Sequence, residues 1–331
     1  AEQGDSEAQV QMGFNYLNGR GVVQDSKEAV KWFRLSAEQG HAKAQYLWGL
    51  MYYSGQGVPQ DRKEAHKLWL PLAEQGKAEA QWRLGEMYRL GQGVPQDFKE
   101  AVKWYRLSAG QGYSDAQYSL GKMYATGLGV QRNLKEAVKW YRLAAEQENG
   151  EAQYKLGFMY EGGQGVPQDF KEAVKWFRLA AEQGHAKSQY SLGIRYRIGQ
   201  GVPKDRKEAV KWYRLAADQG ADIAQHALGD SYQFGTGVPQ DHQEAVKWYR
   251  LAAEQGFILT QLHLGNMYEE GQGVPQDHQE AVKWYRLAAE QGHPSAQSKL
   301  GLMYEEGQGV PQDYVLAYVW LNIAGSNGDK D

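Results

Sequence analysis

The sequence predicts an all-α fold, an α/α solenoid of nine 36-residue helix-turn-helix repeats. A glycine that follows an apolar residue, usually leucine, recurs every 36 residues without an insertion, at Gly13, Gly49, Gly85, Gly121, Gly157, Gly193, Gly229, Gly265 and Gly301. A helix-capping residue keeps the same period, at Asp25, Asp61, Asp97, Asn133, Asp169, Asp205, Asp241, Asp277 and Asp313. Each copy contains two segments of helical periodicity, and repeats of this length become stable by stacking on their neighbours. We therefore predict one continuous solenoid domain over residues 1–331.

The first helix of each copy is represented by EAQYKLGFMY at residues 151–160. At 100° per residue, one side of this helix carries Ala152, Leu156 and Met159. Gly157 lies beside them, and a glycine inside a helix costs about 1 kcal/mol relative to alanine. Because this glycine recurs in all nine copies, we expect the two helices of a repeat to approach too closely for a Cβ atom.

The loop and the second helix are represented by GQGVPQDFKEAVKWFRLAAEQG at residues 163–184. Asp169 and Glu172 have capping-box spacing, so Asp169 should accept from a helix N-terminal N–H while Glu172 reaches back. Gly184 lies where a left-handed residue ends a helix. Apolar residues at helical spacing predict the buried face: Ala173, Trp176, Phe177, Ala180 and Ala181. A tryptophan recurs in this helix, and we interpret the row as core: Trp32, Trp104, Trp140, Trp176, Trp212, Trp248, Trp284 and Trp320.

Composition disfavours several classes of partner. The formal net charge of −3 offers no general attraction to nucleic acid or to an anionic membrane surface. No apolar run approaches the roughly 20 residues that span a bilayer. The chain has no cysteine, so it forms no disulfide and its redox compartment cannot be read from the sequence. We expect neither nucleic-acid binding nor membrane insertion.

No set of residues in the sequence predicts catalysis, a cofactor or a metal site. Ser119 and Lys122 have S-x-x-K spacing, but other copies fill the serine position with unrelated residues, so chance explains the pair. The eight histidines are scattered and form no HxxxH pair, which argues against a metal site. We therefore expect a protein that is not an enzyme and that needs neither cofactor nor metal.

The repeat pattern resembles the Sel-one-like repeat (SLR) family, a relative of the tetratricopeptide repeats. The shared residues are A-Q-x-x-L-G-x-M-Y-x-x-G-x-G-V-x-x-D-x-x-E-A-V-K-W-Y-R-L-A-A, and the resemblance covers essentially the whole chain. It implies a right-handed superhelix of antiparallel helix pairs, whose first helices line a concave groove. It also implies an adaptor or scaffold role, and a location in the bacterial periplasm or outside the cell. Some small bacterial members carry a disulfide in each repeat, and this chain, without cysteine, departs from that branch and from any activity found there.

Three positions of the first helix lie opposite its buried side and differ in every copy; in the fifth they are Tyr154, Phe158 and Glu161. We call these positions the variable face. Unconstrained variation in solvent would favour polar residues, yet aromatic residues persist through copies two to six beside arginine and lysine. Tyrosine, tryptophan and arginine are the residues that typically anchor interfaces. The predicted partner-binding residues are Tyr46, Tyr53, Trp82, Arg89, Tyr118, Lys122, Tyr154, Phe158, Tyr190 and Arg197. The last third of the chain is acidic instead, at Asp230, Glu269, Glu270, Glu305 and Glu306.

These observations favour a non-enzymatic scaffold or adaptor that binds a protein or peptide partner in the groove of the first helices. A narrower alternative is an immunity or inhibitor protein that occludes a toxic effector enzyme. A third is a hydrolase or cell-wall-active enzyme, which the lack of a clustered nucleophile and base disfavours. Composition does not distinguish a general scaffold from an immunity or inhibitor protein.

Both ends of the chain carry an expectation. The opening AEQG matches the end of a second helix in other copies, so we expect preceding sequence to have been removed. In the last copy, the outer face of the second helix holds Leu316, Val319 and Asn322 where earlier copies hold charged residues. A terminal repeat needs a polar outer face to remain soluble. We expect residues 314–324 to be covered by a capping helix absent from the chain or, preferably, by self-association with a second copy.

Overall fold

The computed structural model describes residues 4–328, and within that range every regular element is an α-helix. The helices divide into two compact units, Ala1–Gln168 and Asp169–Asp331. The first unit contains α1 (Ser6–Asn18), α2 (Ser26–Glu38), α3 (Ala42–Ser54), α4 (Arg62–Glu74), α5 (Ala78–Leu90), α6 (Phe98–Gly110), α7 (Ser114–Thr126), α8 (Leu134–Ala145) and α9 (Gly150–Gly162). The second unit contains α10 (Phe170–Glu182), α11 (Ala186–Ile198), α12 (Arg206–Asp218), α13 (Asp222–Gln233), α14 (His242–Glu254), α15 (Ile258–Glu270), α16 (His278–Glu290), α17 (Pro294–Glu306) and α18 (Tyr314–Gly328).

Within each unit, every helix packs against the next one along the chain, which is the contact pattern of a solenoid. The predicted all-α class with nine helix-turn-helix repeats is therefore confirmed. We call the odd-numbered helices A helices and the even-numbered ones B helices. The single domain over residues 1–331 stays a prediction. Residues 1–3 of the opening AEQG lie outside the described residues.

The two helices of a repeat meet at the glycine inside the A helix. A Cβ atom built on Gly85 would lie 2.5 Å from Cδ1 of Tyr105 in α6, and one on Gly121 would lie 2.7 Å from Cδ1 of Tyr141 in α8. These distances are far below van der Waals contact, so only glycine allows the ring to lie against the A-helix backbone. The side chains that face a glycine in this way are Phe33, Trp69, Tyr105, Tyr141, Tyr213, Tyr249, Tyr285 and Leu321.

The ring over the glycine is therefore one position after the tryptophan that the sequence singles out. The tryptophans themselves are core in only some repeats: Trp104, Trp176 and Trp284 are 6 % exposed. The others are half-buried: Trp32, Trp140, Trp212, Trp248 and Trp320. The predicted close approach of the two helices is confirmed, whereas the prediction that the whole tryptophan row is core holds only for Trp104, Trp176 and Trp284.

Aspartate or asparagine caps begin the B helices as predicted. Asp169 Oδ1 accepts from the backbone N–H of Lys171 at 2.9 Å and of Glu172 at 3.0 Å. Glu172 does not complete the capping box; its Oε1 accepts from Lys175 Nζ at 3.2 Å, one helical turn later. The cap therefore satisfies two helix N-terminal donors through the aspartate alone.

Adjacent repeats are joined by a glutamine in most A helices; Gln45 instead bonds to the carbonyl of Leu68 within its own repeat. Gln81 Nε2 donates to the carbonyl of Ala73 in the preceding repeat at 2.9 Å, and Gln81 Oε1 accepts from Gln111 Nε2 at 2.7 Å. The same pair of bonds recurs at Gln117, Gln189, Gln225 and Gln261. In these repeats the recurring glutamine thus satisfies buried backbone carbonyls of the preceding repeat.

The loops provide a second joint between repeats. Gly129 has a φ of 71°, and a Cβ atom on it would lie 2.1 Å from the carbonyl oxygen of Phe98, which begins the B helix of the preceding repeat. The left-handed backbone and the close approach both require glycine here. Glu148 adopts a φ of 63° at a position where other repeats have glycine, and α8 ends one residue early. Glu148 replaces the glycine that ends the B helix elsewhere, and this junction is therefore a strained, shortened helix end.

We predict that Gly85→Ala lowers the free energy of unfolding of the first unit by about 1–3 kcal/mol, because the added Cβ overpacks against Tyr105. Gly110→Ala is the matched control, since it adds the same methyl group in α6 with no heavy atom within 4 Å. Urea unfolding followed by circular dichroism measures both. Equal stabilities for the two variants would contradict the close-approach account.

His66 predicts a pH dependence. It occupies a position that is valine in seven other repeats, and burial lowers the pKa of its imidazole from the usual 6.5. Because the neutral form is favoured in the fold, its stability contribution is fully present above the unfolded pKa and declines as the pH falls below it. His66→Val should therefore stabilise the protein more at about pH 5.5 than at about pH 7.5. Urea unfolding at the two pH values measures this, and an equal gain at both would show that His66 is not desolvated.

Candidate interaction surface

The first two predicted binding residues lie against the core of repeat 2. Tyr46 is 8 % exposed; its ring stacks on Trp69 with centroids 5.8 Å apart, and its hydroxyl accepts from Arg83 Nε at 3.0 Å. Tyr53 is half-buried, and its hydroxyl donates to the Gln92 side chain. Tyr46 in particular offers little side-chain surface to a partner.

Trp69 is a core residue that sequence reasoning missed. The sequence suggests that repeat 2 exchanges its tryptophan with Trp48, yet Trp69 fills the ring position over Gly49 and is fully buried. Its Nε1 donates to the carbonyl of Tyr46 at 3.0 Å. The signal was available, because Trp69 lies 36 residues from both Phe33 and Tyr105.

Four of the predicted residues line one cavity of about 320 Å³ between α5 and α7: Trp82, Arg89, Tyr118 and Lys122. Trp82 Nε1 donates to Ser119 Oγ at 3.2 Å, which fixes the indole at the cavity wall. The ring of Tyr118 packs 5.8 Å from that of Tyr141, so its inner side is held by the core and its outer side faces the cavity. The remaining lining residues are Glu86, Asp115, Ser119, Asn149 and Glu151.

The two basic residues of this cavity differ in their electrostatic environment. Arg89 forms an ion pair with Glu86, with Nη2 2.5 Å from Oε2, and this hydrogen bond raises the pKa of the guanidinium. Tyr105 also donates its hydroxyl to Glu86, so the pair is tied to the ring that faces Gly85. Lys122 is exposed and has no ion-pair partner among residues 4–328. Lys122 is therefore the cation that remains available to a bound group.

The last two predicted residues of the first unit form one aromatic pair on α9. Tyr154 and Phe158 meet edge to face with centroids 4.9 Å apart, and Phe158 is 39 % exposed. Lys155 Nζ lies 5.6 Å from the centre of the Tyr154 ring. The pair presents apolar surface beside a positive charge, as the sequence predicts for this part of the variable face.

In the second unit, Tyr190 and Arg197 of α11 line a cavity of about 400 Å³ together with residues of α13 and α15. The Tyr190 ring packs 5.7 Å from that of Tyr213, in the same arrangement as Tyr118 and Tyr141. Arg197 is exposed. The wall opposite contains His226, Asp230 and Phe257, none of which the sequence placed in a binding site.

His226 and Asp230 of α13, which line this cavity, lie beside His263 of α15. One potential ligand atom from each lies within 4.8 Å of the other two. The absence of an HxxxH pair argued against a metal site, but that test considers only two histidines on one helix. His226 and His263 are 37 residues apart, one more than the repeat, and that spacing brings side chains of successive A helices side by side.

The acidic residues of the last repeats are partly committed to internal pairs. Glu269 Oε2 lies 2.7 Å from Lys299 Nζ and accepts from the Tyr285 hydroxyl at 2.6 Å. Burial disfavours its charge, but these hydrogen bonds outweigh that effect and hold the pKa of the carboxyl below its usual value.

Within the described residues, no helix is long and apolar enough to span a membrane.

A Sel1 repeat family profile matches almost the whole described chain, at residues 6–41, 42–77, 78–113, 114–149, 150–185, 186–220, 222–257, 259–293 and 294–329. Each match covers one A helix, one loop and one B helix of the fold described above. The chain belongs to the Sel1 repeat family. The resemblance noted from the repeat pattern is thereby confirmed, and no curated protein matches the chain.

Solved structures agree with this membership. The Sel1 repeat protein from Oxalobacter formigenes is 35 % identical, with 96 % of this chain and 90 % of that chain covered and a TM-score of 0.68. A protective antigen of uropathogenic Escherichia coli strains with an SLR fold is 33 % identical, with 99 % and 88 % covered and a TM-score of 0.60. An immunity protein from Pseudomonas aeruginosa is 21 % identical over 66 % of this chain and 82 % of that chain, with a TM-score of 0.41. The first two support the Sel1 repeat fold, and the third supports no functional inference.

Proposed function

We propose that this Sel1 repeat protein is a non-enzymatic interaction scaffold that binds a protein or peptide partner on the variable face of its A helices. Sel1 repeats are typically interaction scaffolds, which supports the general class. The observation that carries the proposal is the cavity between α5 and α7, where two aromatic and two basic residues predicted from the sequence converge. Aromatic residues and arginine are the usual anchors of protein interfaces.

The cavity chemistry narrows the kind of partner segment. Trp82 and Tyr118 offer ring surface whose orientation is already fixed by Ser119 and Tyr141, so little side-chain freedom is lost on binding. Arg89 is neutralised by Glu86, so Lys122 is the basic residue of the cavity that is left to attract an anionic group. Asp115 and Glu151 make the rest of the lining acidic. We therefore infer a partner segment that places an apolar side chain between Trp82 and Tyr118, a carboxylate near Lys122, and a basic group in the acidic part of the cavity.

We predict that Lys122→Glu abolishes capture of the natural partner, because it replaces attraction of a carboxylate by repulsion in a half-enclosed site. Lys139→Glu is the matched control: it makes the same charge change on the exposed side of α8, outside the cavity. Affinity capture from the native lysate with mass spectrometry, followed by binding measurements with the captured protein, compares the variants. Unaltered capture by Lys122→Glu, or an equal loss with Lys139→Glu, would contradict binding at this cavity. Capture of an effector enzyme that the protein inhibits would identify the scaffold as an immunity protein.

We also propose that α18 associates with α18 of a second copy. Tyr318 is 69 % exposed, whereas Val282 at the same position of α16 lies beneath the next repeat and is 4 % exposed. Val315 is 73 % exposed on the same side of the helix. The 15 residues of α18 carry no charged side chain, so two such helices can meet without like-charge repulsion. The predicted self-association over residues 314–324 thus keeps its support in the exposed apolar side of this helix.

We predict that the wild type increases in mean mass with concentration, and that Val315→Glu combined with Tyr318→Glu keeps it monomeric, because the symmetric contact would then bring like charges together. Leu287→Glu is the control, since it places a glutamate at an apolar side chain that is 39 % exposed on α16, outside α18. Size-exclusion chromatography with light scattering measures the mass. A wild type that stays monomeric up to about millimolar concentration would refute the contact.

A further inference from the structure

His226, Asp230 and His263 bring three metal-ligand side chains from two successive A helices to one point. His226 Nε2 lies 3.6 Å from Asp230 Oδ2, and His263 Nδ1 lies 3.8 Å from Asp230 Oδ1. The two imidazole rings are stacked, with centroids 5.2 Å apart and planes inclined by 29°. Ligands of a tetrahedral zinc ion, each about 2.0–2.2 Å from the metal, lie roughly 3.3–3.6 Å apart. The two distances to Asp230 exceed this spacing by a few tenths of an ångström at most, and one potential ligand atom from each of the three residues lies within 4.8 Å of the other two.

Neighbouring groups already orient two of the three side chains. Thr260 Oγ1 lies 3.1 Å from His226 Nδ1, and a proton held on Nδ1 leaves the Nε2 lone pair directed toward Asp230. Tyr249 donates its hydroxyl to Asp230 Oδ1 at 2.6 Å. Such contacts behind the ligands fix tautomer and rotamer in metal sites and raise their affinity. The ring behind the carboxylate is the one that faces Gly229, so the site is anchored to the repeat core.

The third side chain has an unsatisfied atom. His263 Nδ1 is buried and has no hydrogen-bond partner among the described residues. A buried ring nitrogen without a partner costs free energy unless another group satisfies it, and a metal ion would do so.

We propose that His226, Asp230 and His263 bind one divalent first-row transition ion, with zinc as the reference ion. Two imidazoles and one carboxylate are ligands that zinc accepts, and two nitrogen ligands disfavour calcium and magnesium. His226 and Asp230 also line the cavity of about 400 Å³ that contains Tyr190 and Arg197, so the site adjoins that cavity. The ion joins α13 to α15 and offers an open position at the variable face.

Titration of the tag-free, metal-stripped protein with Zn²⁺ by calorimetry tests the site, and Co²⁺ provides a second readout through its visible absorption. We expect one ion per chain. His226→Ala and His263→Ala should each weaken binding at least about tenfold, and Tyr249→Phe should weaken it less. His41→Ala is the matched control, because it removes a half-buried histidine of the first unit that is far along the chain from the site.

Circular dichroism first shows whether the His226→Ala, His263→Ala double variant remains helical. If it does and it binds Zn²⁺ as tightly as the wild type, the proposal is overturned. Equal weakening by His41→Ala would show dispersed surface binding and would overturn it as well. A saturating excess of Mg²⁺ should not displace the Co²⁺ absorption. The assay contains no partner protein, so its outcome is independent of the proposed scaffold function.

Discussion

The contact between a backbone glycine and a side chain of the facing helix is the constraint on which the other features depend. At Gly85 the ring of Tyr105 occupies the space that a Cβ atom would need, and the same arrangement recurs in both units. Because the B-helix ring is pressed against the A helix, the outer end of that ring reaches the variable face. Tyr105 hydrogen-bonds Glu86 there, and Tyr249 hydrogen-bonds Asp230. In these two repeats, core and surface are therefore connected through one tyrosine.

Adjacent repeats are held by polar contacts that leave the same face open. The A-helix glutamine bonds to the preceding repeat on one side and to the end of its own B helix on the other, as at Gln81. The loop glycine packs on the start of the preceding B helix, as at Gly129. Neither joint uses the positions that differ between copies. Stacking therefore fixes neighbouring A helices in register, and side chains from successive helices, such as Trp82 and Tyr118, can build one cavity.

The sequence predicts the fold well because every local signal recurs in each repeat. One helix cap such as Asp169, or one glycine such as Gly157, would be weak evidence for a helix pair, but nine copies at constant spacing are strong evidence. It predicts the site less well. Helical spacing placed Tyr46 on the variable face, but its burial depends on Trp69 of the facing helix. The His226, Asp230 and His263 cluster depends on which residues of successive repeats lie side by side, which a search within single helices cannot show.

The central claim is that the variable face is the partner-binding surface, supported from behind by the glycine-facing rings. Hydroxyl-radical footprinting of the protein with and without its captured partner tests this directly, because it reports the solvent exposure of individual side chains. The account predicts reduced labelling of Trp82, Tyr118 and Phe158, with unchanged labelling of the exposed B-helix residues Leu107 and Leu143. Protection of Leu107 and Leu143 with no change at Trp82 and Tyr118 would contradict it.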